Sequence, residues 1–224
     1  MSARERFLEY VKIDTQSADD SATYPSTEKQ KDLLRLLVKQ LQELGAKDVN
    51  MDTYGYVTAT LEAVDCPNDL TVGLIAHVDT APDMSGANVK PNEILYNGGD
   101  IILNKEKNIV MRSAEFDLLE RFIGKHLIVT DGTTLLGGDD KAGIAEIMGL
   151  VEYYHRYPDK KHPRIRIAFT PDEEVGAGTD HFDVAAFDAD VAYTVDGGLL
   201  GEIEYENFNA ASADIKINRV NIHP

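Results

Sequence analysis

Arg164-Ile165-Arg166-Ile167-Ala168-Phe169-Thr170-Pro171-Asp172-Glu173-Glu174-Val175-Gly176-Ala177-Gly178 is a strand that runs into a doubly acidic turn. The alternation from Arg164 to Phe169 has the period of two that predicts a β-strand. Glu173 and Glu174 then sit side by side at the strand mouth, between Pro171 and the glycines. Like charges in one site repel and push one pKa up unless a cation or hydrogen bonds neutralise them. That cost points to a site, and other parts of the chain show which residues share it.

Upstream, Thr71 to Val78 contains the nearly continuous apolar run Val72-Gly73-Leu74-Ile75-Ala76, expected of a central strand covered on both faces. It ends in His77-Val78-Asp79-Thr80. Further on, Leu135-Leu136-Gly137-Gly138-Asp139-Asp140-Lys141-Ala142-Gly143 leads into a buried helix, with Ile144, Ile147, Met148, Val151 and Tyr154 at helical spacing. Downstream, a strand from Asp190 to Val195 ends in Asp196-Gly197-Gly198.

The remaining segments predict a helix from about Ala3 to Ile13 and a second one starting near Ser26 or Thr27. Thr27 and Gln30 have the spacing of a capping box there, and Leu33, Leu34, Leu37, Leu41 and Leu44 form an apolar face. Short strands are expected at Val49 to Thr53, Tyr56 to Leu61 and His126 to Thr130, and helices at Ala114 to Ile123 and His181 to Phe187. Residues 82–113 read as loop, with a hairpin around Gly98 to Leu103. Strands alternating with helices predict an α/β fold with a mixed, largely parallel sheet flanked by helices. In such sheets ligands gather beyond the carboxyl ends of the strands. His77, Asp139, Glu173, Glu174 and Asp196 all fall just after a predicted strand or in a loop entering a helix.

From about Ala210 the pattern becomes the half-solvated alternation of an antiparallel strand, ending at Asn221-Ile222-His223-Pro224. It reads as the first strand of an α+β small domain without partner strands, so the sequence reads as truncated.

Composition narrows the function classes. The chain has 224 residues, 43% hydrophobic and 27% charged, with 22 Lys and Arg against 39 Asp and Glu, a net charge of −17. That suits one large core, or one domain plus part of another, and argues against nucleic acid and anionic membranes as partners. Cys66 is the one cysteine, so neither an intrachain disulfide nor a thiolate metal cluster is available. The N-terminus lacks an apolar signal region, and no run reaches the ~18 apolar residues of a membrane span. A cytoplasmic enzyme or binding protein is expected.

Imidazole together with carboxylates suits zinc and its neighbours among the divalent metals. A single His-x-Asp is usually incidental, and a single Asp-Gly-Gly is usually a turn. Four such elements, each at a strand end of one acidic chain, outweigh that reading. The motifs of serine hydrolases, phosphate-binding loops and His-Glu-x-x-His zinc helices are absent from the sequence.

The blocks His77 to Thr80, Thr133 to Gly143, Thr170 to Gly176, Thr194 to Gly198 and Asn207 to Ser212 together resemble the peptidase T family. These are tripeptide aminopeptidases among the co-catalytic zinc peptidases related to carboxypeptidase G. The resemblance implies that Asp139 bridges two zinc ions, that His77 and Asp196 complete one site, and that Glu174 binds the other. It makes Asp79 the partner that orients His77, Glu173 the general base, and His223 a substrate-binding residue, and it implies a cis peptide at Asp139-Asp140.

On the same resemblance, residues 1–208 are a zinc peptidase catalytic domain missing its C-terminal part, and 209–224 begin a dimerisation or lid domain. The family's remaining zinc ligand, a histidine near the end of a longer chain, has no match here. This 224-residue form is therefore expected to bind one metal far better than two and to have little tripeptidase activity, while the full-length protein forms a homodimer. The alternatives are a related zinc dipeptidase or deacylase, or a non-catalytic metal-binding module.

Overall fold

A computed structural model of the chain describes residues 1–67, 70–206, 211, 213 and 215–218. The principal sheet has five strands: β1 (Lys47–Met51), β2 (Val57–Leu61), β3 (Thr71–His77), β8 (Arg164–Thr170) and β9 (Val191–Thr194), in the order β1-β2-β8-β3-β9. β1 and β2, and β2 and β8, pair antiparallel, whereas β3 pairs parallel with both β8 and β9. The sheet is mixed, and its parallel half carries the acidic turns.

The alternation that predicts β8 is real, yet nearly all of β8 is buried, because it is the middle strand. Arg166 is accommodated there by donating to the Phe187 carbonyl at 2.7 Å and to the Thr60 hydroxyl.

Helix α1 (Ala3–Tyr10) starts in a capping box in which Ser2 and Glu5 satisfy each other's backbone N–H groups. α2 (Gln30–Glu43) buries Leu33, Leu34, Leu37 and Leu41 completely and packs against β1 and β2. Each such leucine contributes about 1.5–3 kcal/mol relative to exposure. α3 (Gly138–Arg156) lies against α1 and β3, burying Ile144, Ile147, Met148 and Val151. A fourth helix, α4 (Val184–Phe187), is a single turn capped by Asp183.

Several expectations change. The capping box of Thr27 and Gln30 does not form: α2 begins at Gln30 with no side-chain cap. The Gln30 amide is drawn instead to the buried carboxylate of Asp172 at 2.7 Å, and Thr27 donates to the Gln16 carbonyl. Residues 82–113 are not all loop. β4 (Asn92–Leu95) pairs with β7 (His126–Val129) in a separate two-stranded sheet. β5 (Ile101–Asn104) and β6 (Ile109–Met111) form a hairpin whose turn lies after Asn104 rather than at the glycines.

The helix expected at Ala114 to Ile123 is two short 3₁₀ segments, Ser113–Glu115 and Asp117–Phe122, of which Leu119 is the one buried residue. Phe116, Leu118, Phe122 and Ile123 of this segment are exposed, so no packed apolar face supports a full α-helix. Tyr96, Ile101 and Leu119 form the small core of this region.

The described residues 211, 213 and 215–218 are exposed and outside any strand. The rest of the expected small-domain strand, His223 included, lies outside the described residues.

Candidate metal centre

His77 is the last residue of β3, which lies between β8 and β9 and runs parallel to both. The register places His77 opposite Thr170 and Ile75 opposite Thr194, so the turns after β8 and β9 emerge at the same edge as His77. Asp139 reaches that edge from the head of α3. It and Asp140 have non-helical backbone angles, and the peptide between them is cis.

The imidazole of His77 is buried and surrounded by carboxylates. Nε2 lies 2.7 Å from Asp139 Oδ1, 3.7 Å from Asp196 Oδ2 and 3.8 Å from Glu173 Oε2. On its other side Nδ1 faces the fully buried Asp79 at 3.3 Å, without hydrogen-bond geometry. Burial works against the charged imidazole, yet Asp79, Asp140 and Asp139 carry it up to about 10.

Asp79 also holds the acidic turn. Its two oxygens accept the backbone N–H groups of Glu173 at 3.0 Å and Glu174 at 3.1 Å. Asp140, adjacent to Asp139, turns inward instead. It accepts from the backbone of Gly143 at 3.1 Å and of His77 at 3.3 Å, and burial pushes it up to about 8.

Glu173, Glu174 and Asp196 are all raised above the usual carboxylate range, by burial first and by neighbouring carboxylates in addition. The structure thus brings His77, Asp79, Asp139, Glu173 and Asp196 together. It places the Glu174 backbone on Asp79, while His223 lies outside the described residues.

Donor atoms of His77, Asp139 and Asp196 lie within 4.8 Å of one another. Glu173 and Glu174 are not members of that donor set. One imidazole nitrogen and two carboxylate oxygens fit a divalent cation of the zinc type, and a cation would relieve the carboxylate repulsion. An open cavity of about 700 Å³ adjoins the cluster, lined in part by Phe122, Asp139, Asp140, Thr194, Asp196 and Gly197.

Comparison with known proteins adds an independent line. The chain is 58% identical over 221 residues to a peptidase T of Caldanaerobacter subterraneus subsp. tengcongensis, covering 98% of this chain and 54% of that protein. It is 57% identical to a peptidase T of Halothermothrix orenii, with the same coverage.

The chain is a homologue of peptidase T. It spans about half the length of the curated relatives it matches. Comparison with protein-family models gives no match. The fold resembles a tripeptidase of Staphylococcus aureus subsp. aureus Mu50, with a TM-score of 0.61 and 23% identity over 88% of this chain and 43% of that one. An aminopeptidase PepT of Bacillus cereus gives 0.60 and 23%, over 87% and 43%. The mixed sheet with flanking helices is therefore the peptidase T-like architecture.

The sequence assigns Asp140, Asp172 and Gln30 no part in the site: Gln30 figures only as a helix cap and Asp140 only through the cis peptide. Asp140 and Asp172 adjoin motif carboxylates, which was the available signal. Gln30 carries none, because its partner Asp172 is 142 positions away.

Proposed function

We propose that this chain carries the catalytic portion of a zinc-dependent aminopeptidase that releases the N-terminal residue of tripeptides. The single observation behind the reading is the convergence of His77, Asp139 and Asp196, with Glu173 alongside, where the carboxyl ends of parallel strands meet the head of α3. Its homology to peptidase T supports the substrate class.

In this reading His77, Asp139 and Asp196 hold one ion, and Asp139 with Glu174 serves a second. Bound there, a divalent metal lowers the pKa of water toward ~7 and polarises a peptide carbonyl. Glu173 is the general base: beside His77 but outside the donor set, its carboxylate takes a proton from the attacking water and returns it to the leaving amine. Asp79 orients the His77 ring and, by accepting two backbone N–H groups, keeps Glu173 facing the cluster.

Residues 1–208 are then the catalytic domain and 209–224 the start of a dimerisation or lid domain that brings His223 toward substrate. The whole protein is a cytoplasmic homodimer. Among the described residues no helix is long and apolar enough to cross a membrane.

Zinc titration by calorimetry beside a tripeptide assay tests the reading. One tight site with little turnover is expected of this chain, because Glu174 stands outside the three-donor cluster. Two tight sites with full turnover overturn the single-metal expectation, and no zinc binding overturns the metal site. A panel of tripeptides, dipeptides and acylated amino acids given to the complete polypeptide separates this activity from a dipeptidase or deacylase.

A further inference from the structure

Asp172 is almost wholly buried and has a positive φ of 58°, in the left-handed region. Three donors meet its carboxylate. Ser26 Oγ donates to Oδ1 at 2.5 Å, Gln30 Nε2 to Oδ1 at 2.7 Å, and the Ser26 backbone to Oδ2 at 2.6 Å. In return the Asp172 N–H donates to Gln30 Oε1 at 3.2 Å, so Gln30 and Asp172 exchange two hydrogen bonds.

Tyr24, from the same loop, and Tyr56, just ahead of β2, hold the far end of the turn. Tyr24 donates its hydroxyl to the Ala177 carbonyl at 3.0 Å, and Tyr56 does so to Gly178 at 3.0 Å. The turn closes on itself through Ala177 N–H to the Asp172 carbonyl, and a Cβ at Gly178 would lie 3.1 Å from Glu173 Cα. Glu173 is thus seated on a backbone held at one end by Ser26 and Gln30 and at the other by Tyr24 and Tyr56.

We propose that Gln30, acting through Asp172, is a positioning residue for Glu173. Gln30 is completely buried at the first position of α2 and touches none of the donors of the metal cluster. Its amide is used for a polar exchange with the residue preceding the base. A buried glutamine that merely filled space would be replaceable by an apolar side chain of the same length. The inference rests on Glu173 being the base, but the placement of its backbone can be read separately.

The test is Gln30→Met, which keeps the length and burial of the side chain and removes the amide. Hydrogen exchange on this chain reads the placement directly: the Asp172, Glu173 and Glu174 amides lose about tenfold or more in protection, while those of β8 and α3 keep theirs. In the complete zinc-loaded polypeptide, kcat for a tripeptide falls roughly 10- to 100-fold, with KM and zinc affinity within about twofold.

Unchanged turn protection overturns the proposal whatever the activity. Weakened protection with unchanged kcat in an active enzyme overturns the positioning role as well. A wild-type polypeptide without tripeptide hydrolysis removes the peptidase reading, and the exchange measurement still decides the Gln30–Asp172 clamp. If Gln30→Met loses protection throughout α3 and β8, Ser26→Ala takes its place. That variant removes one hydroxyl from Asp172 and keeps the backbone donor, and the same pattern is expected.

Discussion

A Cβ placed on Gly143 would lie 1.8 Å from the carbonyl oxygen of Val195. The start of α3, which carries Asp139, therefore packs directly against the chain next to Asp196. The carbonyl cannot easily retreat, because the Val195 N–H donates to the Ile75 carbonyl at 2.8 Å.

Gly143→Ala is expected to destabilise the fold by about 1–3 kcal/mol or more, as overpacking does in rigid surroundings. Urea unfolding gives that figure. Zinc calorimetry on the variant should show weaker binding, since relieving the clash moves α3 away from β9.

Asp79→Asn should reduce zinc affinity by about 10- to 100-fold without removing a donor from the cluster. Both Asp79 oxygens accept N–H groups, from Glu173 and Glu174, and an amide nitrogen at either place meets another donor. Competition with a chelator of known affinity measures the loss. Affinity equal to wild type would show that Asp79 has no part in ordering His77.

Glu173→Gln in the complete polypeptide is expected to lower tripeptide turnover by about 10²–10⁴ while zinc affinity changes little. The Glu173 side chain is half exposed and lies outside the three-donor set, so its removal leaves the donors in place. A non-catalytic metal-binding module would show no turnover to lose.

Glu152 supplies a pH prediction away from the metal centre. Its carboxylate accepts from the Met1 amine at 2.6 Å, from Arg6 at 2.5 Å and from Arg156 at 2.5 Å. The amine first, then Arg6, hold it down to about 2 against the opposing effect of burial. A carboxylate lowered on folding stabilises the native state above its ordinary value near 4.5, and that contribution is lost as pH falls toward 2. The stability difference between wild type and Glu152→Gln should therefore shrink between pH 4.5 and 2. Urea midpoints across that range measure it, and a pH-independent difference would refute the ion-pair account.

The sequence and the structure agree best where local pattern and burial coincide. The apolar run of β3, the alternation of β8 and the helical spacing of α3 each announce an element that packs in the main core. The ends of those elements then locate His77, Asp139 and Glu173, and the end of β9 locates Asp196. Within residues 82–113 β4 escaped, because it is a short, half-exposed strand whose partner β7 is remote in sequence. Thr27 and Gln30 show the converse failure. Their spacing satisfies a local rule, but a buried carboxylate makes a stronger demand on the Gln30 amide than the helix end does. The capping box forms instead at Ser2 and Glu5, where no tertiary partner competes.

The donors His77, Asp139 and Asp196 belong to three separate passages of the chain through the fold, at the ends of β3 and β9 and the head of α3. No short peptide from this sequence contains the set, and a collapsed chain without β3 between β8 and β9 does not assemble it. A cation held there would bind the native state alone, stabilising it by RT ln(1 + [L]/Kd). Metal uptake would then serve as a sensor of completed folding, and a chelator would lower the melting temperature of the entire sheet.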